Sequence, residues 1–407
     1  MSIIDSAAKD AIYNVFLYLL DAAGTKPAST LSQTLENLAN ADISAFDDKT
    51  RTQFTKRLNI VQNACSTAPD LANSTMNNYI TNYNNKQGGM TACVFTDGQE
   101  TVHIAFAGTG AGEWIDNGEG LSGIPEYNLY SKYDKTGRLL YTTAAPRDYA
   151  TDQQTEALNW FNKLCAQNNW DKTTPIVVSG HSKGGNKAQF IAINSHLAAK
   201  CHSFDGQGFS PEAIEMFSKR IPDFEDRRRK IYSISADNDY VNVLGARLMP
   251  EENIFFLSSS DIDGDPFAYH YIETMLNDSG RLNAPSPQGE ISRYIQNLSN
   301  TIMSMKPEHR QYVTLSIMSI FQHILGKGTV PVNGDFVSDS DTVKGVITAL
   351  APILTSLLFT KDGKEAASDI ARIYKERLGE LYAPIHDKTA AIISGIFEKL
   401  RGNSDPQ

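Results

Sequence analysis

The spacing of hydrophobic positions changes twice along the chain. In the first 85 residues, apolar side chains recur every three or four positions, which is typical of amphipathic helices. From Met90 onward, short runs rich in β-branched and aromatic residues replace this pattern, and they predict strands. The helices predicted in the first region cover residues 7–23, 30–39 and 48–65, the last continuing towards Tyr83.

The middle of the chain alternates between strand and helix patterns. The runs TACVFTD and TVHIAFAG are joined by Asp97-Gly98, a sequence that favours a hairpin. Beyond them, alternating strands and helices indicate parallel βαβ units. The predicted strands are PIVVSG, HSFDG, KIYSIS and NIFFLSS, and the predicted helices are residues 152–167, 184–200 and 211–220.

After about Leu282 only helical patterns recur, and five candidate helices fill the rest of the chain. We therefore predict an α/β fold with a mostly parallel sheet, flanked by helical regions at both ends. The predicted regions are an N-terminal helical region (1–85), an α/β core (86–282) and a C-terminal helical region (283–407).

Composition narrows the function classes. The formal net charge is −10, and an acidic balance argues against a broad nucleic-acid surface. The four cysteines are far apart and form no metal-ligand pattern with histidine, so we expect free thiols in a reducing compartment and no metal or organic cofactor.

The N-terminus has no basic segment ahead of its apolar stretch, so it predicts an amphipathic helix rather than a signal peptide. The longest apolar run, residues 346–359, is shorter than the ~20 residues that span a bilayer. We expect a cytoplasmic protein, with non-classical secretion and peripheral membrane contact as alternatives.

The strongest chemical signal is Gly180-His181-Ser182-Lys183-Gly184, a G-x-S-x-G pentapeptide between a predicted strand and a predicted helix. This spacing suits a sharp strand-to-helix turn, because small residues on either side of the serine let strand and helix approach. The serine oxygen then projects above the sheet, near the positive end of the helix. Ser182 is therefore the predicted nucleophile.

A serine nucleophile needs a histidine base, and in this type of site the acid and then the base follow it along the chain. Of the histidines beyond the pentapeptide region, His309, His323 and His386 lie in the predicted helical tail. His270 follows the last predicted strand, where the base of such a site belongs. For the acid, Asp239 and Asp237 both follow the strand KIYSIS, and the residues alone leave this choice open.

Stabilising the oxyanion requires two backbone N–H donors. One is the amide of the residue after the serine, Lys183. The other is expected from the junction Gly108, Thr109 and Gly110, which follows the predicted strand TVHIAFAG.

Several of these segments together resemble the class 3 lipases, and more closely a bacterial lipase-like family of largely unknown function. The similarity covers roughly residues 90–276. The resemblance implies Ser182 as nucleophile, Asp239 as acid, His270 as base, and the amides of Thr109 and Lys183 as oxyanion donors. The segments that carry it are FAGTGAGEWIDN, VVSGHSKGGNKA, FDGQGFS, SADNDYVNVLG and YHYIE.

Two positions depart from the class 3 pattern. Ala107 stands where those lipases usually have arginine, and Asn242 stands where they usually have proline. Both lie beside the predicted site, so they bear on substrate preference and on the geometry of the oxyanion donors.

The sequence therefore predicts a serine ester hydrolase whose residues 86–282 form an α/β-hydrolase catalytic core, acting on lipid or small acyl esters through an acyl-enzyme. Residues 111–149 are predicted to be either a lid or a surface loop. A thioesterase, peptidase or acyltransferase would use the same residues, since a fold does not fix a substrate. The alternative from another class is a binding or effector module that contacts a partner or a membrane, with hydrolysis secondary.

Overall fold

Seven strands form one sheet in which each strand pairs with the next along the chain. The first three strands pair antiparallel, and β3 to β7 pair parallel. The strands are β1 (Thr75–Thr81), β2 (Thr91–Thr96), β3 (Val102–Phe106), β4 (Ile176–His181), β5 (Ala198–Phe204), β6 (Ile231–Ala236) and β7 (Ile254–Leu257).

Helices connect and flank these strands. They are α1 (Ile3–Ala23), α2 (Leu31–Ala39), α3 (Asp48–Thr67), α4 (Pro69–Ala72), α5 (Trp114–Ser122), α6 (Asp152–Asn168), α7 (Lys183–Asn194), α8 (Pro211–Arg220), α9 (Phe224–Arg228) and α10 (Glu290–Met303). A mostly parallel seven-stranded sheet flanked by helices, as the described residues form it, is an α/β-hydrolase-like fold, which confirms the predicted fold class.

This computed structural model describes residues 3–81, 90–98, 100–108, 114–123, 149–260, 262, 266–304, 307, 310 and 314. All of them belong to one compact unit, Met1–Val346, and a second unit, Ile347–Gln407, lies outside them. Most of the predicted C-terminal helices therefore fall outside the described residues, and α10 corresponds to the first of them. Across the described ranges, no helix is both long enough and apolar enough to cross a bilayer.

Two predicted helices end earlier than expected. The helix predicted to continue towards Tyr83 ends at Thr67, and β1 follows it. Pro69 has no N–H to extend the helical ladder, so α3 stops before it. The short helix α4 begins at Pro69, and from Thr75 the chain pairs with β2. The helix predicted over residues 184–200 ends at Asn194, because residues from Ala198 onward join the sheet as β5 beside β4.

Helix α1 packs against the sheet with an apolar and a polar contact surface. Tyr13 stacks on Phe95 of β2, with ring centroids 4.2 Å apart. Asp10 is fully buried, and its carboxylate accepts hydrogen bonds from histidines on two strands. Its Oδ1 lies 2.7 Å from His103 Nδ1 on β3, and its Oδ2 lies 2.6 Å from His202 Nδ1 on β5. Asn14, one turn further along α1, donates from Nδ2 to Ser179 Oγ on β4 at 3.0 Å, so buried polar contacts attach the helix to three neighbouring parallel strands.

This cluster makes stability depend on pH. Burial disfavours the charged form of His103, but the carboxylates of Asp10 and Asp97 outweigh burial and raise its pKa to about 9. His103 therefore contributes to the free energy of unfolding. This contribution is complete below the ordinary histidine pKa and is lost as the pH rises through about 9. We expect the free energy of unfolding to fall as the pH rises from about 6.5 to about 9.5.

The matched variants are His103→Gln and His196→Gln, because His196 is exposed and lies outside the cluster. Urea unfolding at the two pH values should show a smaller pH dependence in His103→Gln than in His196→Gln. Equal pH dependence in the two variants would show that His103 does not carry the effect.

Candidate active site

The predicted strand-to-helix turn is present around Ser182. Strand β4 ends at His181 and α7 begins at Lys183, and Ser182 between them has φ 58° and ψ −123°. A non-glycine residue with positive φ is strained, and such strain is characteristic of functional positions that the surrounding structure holds in place. The hydroxyl of Ser182 is thereby presented at the N-terminal end of α7.

The two glycines of the pentapeptide allow the close approach that this turn requires. A Cβ built on Gly180 would overlap the backbone of Gly184. A Cβ built on Gly184 would overlap the carbonyl oxygen of Phe106 at the end of β3. The sequence pattern therefore reflects a steric need at both positions.

The structure brings His270 to Ser182 and Asp239. His270 lies in a 3₁₀ segment, Pro266–His270, rather than at the start of the predicted helix. Its Nε2 is 2.8 Å from Ser182 Oγ, and its Nδ1 is 2.7 Å from Asp239 Oδ1. One imidazole thus bridges a hydroxyl and a carboxylate.

Asp239 is the aspartate that contacts His270. It is fully buried, and its Oδ2 accepts the backbone N–H groups of Val241 at 3.0 Å and Asn242 at 2.6 Å. These bonds fix the carboxylate while its other oxygen faces the imidazole. Asp237, the alternative acid, instead accepts the hydroxyl of Ser259 at 2.6 Å.

Of the two predicted oxyanion donors, Lys183 is described and Thr109 lies outside the described residues. Lys183 is the first residue of α7, so its backbone N–H is not part of the repeating helical ladder. The preceding loop residue, Gly108, is close to the site. A Cβ on Gly108 would lie 3.2 Å from the Cβ of Ser182, so this backbone passes directly beside the serine.

The side chain of Lys183 forms a buried ion pair with Asp116 of α5. The lysine side chain is 0% exposed and the aspartate 2%, so both charges depend on each other for solvation. Gln207 adds a second attachment of α5 by donating from Nε2 to the carbonyl oxygen of Asn117 at 3.0 Å. Helix α5 lies in the segment 111–149 that the sequence left open as a lid or a loop, and apart from α5, Gly123 and Tyr149 that segment lies outside the described residues.

A second carboxyl, Asp205, lies close to this group. Burial and the nearby charge of Asp239 raise the pKa of Asp205 well above its usual range, which favours its neutral form. Its Oδ1 accepts the N–H of Ala236 at 2.9 Å, and its Oδ2 is 3.7 Å from His181 Nε2. Asp205 is therefore a second buried carboxyl beside His181, and it has no hydrogen bond to His270 like that of Asp239.

His181, Asp205 and His270 place potential metal-ligand atoms within 4.8 Å of one another. Both ring nitrogens of each histidine already have hydrogen-bond partners. Those of His270 contact Asp239 and Ser182, and those of His181 contact Tyr18 and the carbonyl oxygen of His270. This geometry fits a hydrogen-bonded network better than a metal site.

The sequence did not point to Tyr18 or His181 as site residues. Tyr18 OH lies 2.6 Å from His181 Nδ1, and His181 Nε2 lies 2.9 Å from the carbonyl oxygen of His270. His181 occupies the x position of the G-x-S-x-G motif, which the motif leaves free. Tyr18 is 163 residues earlier in the chain, and only the docking of α1 brings it here.

The comparison with protein families matches the central part of this site. The model of the Mbeg1-like family matches residues 148–247, which include Ser182 and Asp239 but end before His270. The Mbeg1-like family is a lipase-like family, and its model matches 100 of the 407 residues of this chain.

The search of curated proteins found no match to this chain. The crystal structure of M37 lipase aligns with 84% of this chain and 98% of its own, at 13% sequence identity and a TM-score of 0.29. The strand order and the turn at Ser182, rather than this alignment, identify the α/β-hydrolase-like fold.

Proposed function

We propose that this protein is a serine ester hydrolase that acts on lipid or small acyl esters. The observation that carries the proposal is the hydrogen-bonded series Ser182 Oγ, His270 and Asp239, with distances of 2.8 Å and 2.7 Å. A hydroxyl within hydrogen-bond distance of an imidazole, which is itself oriented by a buried carboxylate, is the arrangement that activates serine. The lipase-like segment and the resemblance of the motifs to lipases support an ester as substrate.

In the first half of the proposed reaction, Ser182 Oγ attacks the ester carbonyl carbon and His270 Nε2 takes the hydroxyl proton. The negative charge on the carbonyl oxygen is stabilised by the Lys183 N–H and, in the proposed site, by the N–H of Thr109. When the carbon–oxygen bond to the leaving group breaks, His270 returns its proton to the departing alcohol. An acyl group then remains on Ser182.

In the second half, water attacks the acyl carbon and His270 accepts a proton from it. Collapse of the second tetrahedral intermediate releases the carboxylic acid and restores the Ser182 hydroxyl. Asp239 holds the N–H of His270 Nδ1 throughout, which keeps Nε2 free to accept protons. No metal or organic cofactor enters these steps.

Labelling with a fluorophosphonate probe tests this proposal. We expect the probe to modify Ser182, as mapped by mass spectrometry, and we expect Ser182→Ala to lose the label and to lower kcat/KM for short-chain esters by about 10⁴-fold or more. Alanine keeps the Cβ of Ser182, so the strain at positive φ is unchanged and the variant isolates the hydroxyl. Ser179→Ala is the matched control, because Ser179 is a buried serine of β4, three residues before Ser182.

The outcome separates the proposal from its alternatives. Labelling of the wild type at Ser182 followed by hydrolysis of oxygen esters supports it, whereas preferred turnover of thioesters or peptides would favour another activity of the same residues. Absence of labelling, with and without liposomes, would overturn it and favour a binding or effector module. Activity that increases with liposomes would indicate membrane contact.

A further inference from the structure

A continuous series of hydrogen bonds enters the site from α1. The backbone N–H of Gly108 lies 3.1 Å from Tyr18 OH, and Tyr18 OH lies 2.6 Å from His181 Nδ1. His181 Nε2 then lies 2.9 Å from the carbonyl oxygen of His270. The series joins the loop after β3 to the backbone of the histidine that contacts Ser182.

The surrounding atoms determine the direction of every bond in this series. A carbonyl oxygen only accepts, so the hydrogen on His181 lies on Nε2. Burial and the neighbouring His270 and Arg57 hold the pKa of His181 well below its usual range, so the ring is neutral and Nδ1 is an acceptor. Tyr18 therefore donates to Nδ1, and its oxygen accepts the N–H of Gly108.

Tyr18 is held rigidly at the centre of this series. The guanidinium of Arg57 lies over its ring, 4.8 Å from the centroid, and Arg57 Nε lies 3.0 Å from Glu273 Oε2. The ring of Tyr18 also meets that of His181 edge-on, with centroids 5.5 Å apart. The hydroxyl therefore has little freedom to leave either partner.

The two ends of the series are the two places where the proposed reaction needs precise positions. Gly108 begins the loop expected to supply one oxyanion N–H, and its backbone runs beside Ser182. His270 supplies the base. A hydroxyl that bonds to Gly108 directly and to His270 through His181 fixes the distance between loop and base.

We propose that Tyr18 is a positioning residue for the hydrolytic reaction, and that α1 thereby completes a site whose other parts come from the α/β core. This inference rests on the proposed function, since it assigns Tyr18 a role in that reaction. Without the hydroxyl, the Gly108 N–H and His181 Nδ1 lose their partner, and the loop and base are no longer held together. The loss should affect the transition state, where both act, more than the binding of the ester.

The test compares Tyr18→Phe with Tyr13→Phe. Tyr13 is a matched control, because it is a buried tyrosine of the same helix whose OH lies 2.7 Å from Ser74 Oγ, away from the site. With p-nitrophenyl butyrate as substrate, we expect Tyr18→Phe to lower kcat about tenfold with KM changed less than about twofold, and Tyr13→Phe to leave both within about twofold. Titration with a fluorophosphonate counts competent sites, so kcat is compared per competent site even where a variant folds less completely.

A double-mutant cycle with His181→Gln tests whether Tyr18 acts through His181. If it does, adding Tyr18→Phe to His181→Gln lowers kcat by clearly less than it does in the wild type. If the two losses multiply, the series through His181 is wrong. Equal kcat values for Tyr18→Phe, Tyr13→Phe and wild type would overturn the positioning role itself.

These results remain distinct from failure of the proposed function. A wild-type protein that neither reacts with fluorophosphonate nor hydrolyses the ester contradicts the proposed function. An active wild type with an equally active Tyr18→Phe contradicts only the inference about Tyr18.

Discussion

Replacing Asp239 with asparagine is expected to lower kcat by about 10³- to 10⁴-fold while the protein stays folded. Asp239 Oδ1 accepts the hydrogen on His270 Nδ1, which leaves Nε2 free to take the proton of Ser182. An asparagine amide can donate to Nδ1 instead and so favour the tautomer with hydrogen on Nε2. That tautomer cannot accept the serine proton.

Asp205→Asn is the matched control for this variant. Asp205 is also buried near His270, but burial and Asp239 raise its pKa and so favour the neutral carboxyl, which asparagine resembles in shape and charge. We expect its kcat to stay within about threefold of the wild type. Steady-state hydrolysis of one short-chain ester by both variants checks the prediction. A loss in Asp205→Asn as large as in Asp239→Asn would contradict the choice of Asp239 as the acid.

Replacing Asp116 with alanine is expected to lower the free energy of unfolding by about 3–5 kcal/mol. Asp116 is the ion-pair partner of Lys183, and both side chains are buried. Removing the carboxylate leaves the positive charge of Lys183 buried without a negatively charged partner. Urea unfolding followed by tryptophan fluorescence measures the change.

The double variant Asp116→Leu, Lys183→Met provides the control for this second prediction. Replacing both charges with apolar groups removes the uncompensated ion, so we expect it to recover most of the stability lost in Asp116→Ala. If the double variant is as unstable as the single one, the loss comes from packing of α5 rather than from the charge on Lys183.

The sequence was sufficient for the sheet core and for the turn at Ser182 because both depend on local patterns. Buried strands read as short apolar runs, and the pentapeptide spacing follows from the contact between Gly180 and Gly184. The position of His270 beside Ser182 agrees with its place after the last predicted strand, and its role as base stays a prediction. The preference for Asp239 over Asp237 needed the resemblance, because two aspartates after one strand are locally equivalent.

The contributions of α1 were not predictable in the same way. Its polar residues interrupt an apolar stretch and suggest a solvent-facing side, yet Asp10, Asn14 and Tyr18 are four residues apart and contact the sheet. Their partners are distant in sequence, so no local pattern reveals them. The predicted ends of α3 and α7 were wrong for a similar reason. The residues predicted to extend these helices include those that pair with neighbouring strands as β1 and β5.

The burial of Asp10 also has a consequence for how the protein is made. Helix α1 leaves the ribosome before every strand it binds, and His202 is 192 residues behind Asp10. At ~5–20 residues per second, the helix waits roughly 10–40 s for this partner. During that time the apolar residues of α1 lack the sheet that covers them in the folded protein. Since Tyr18 is on the same helix, its contacts with Gly108 and His181 also form only after the core strands have been synthesised.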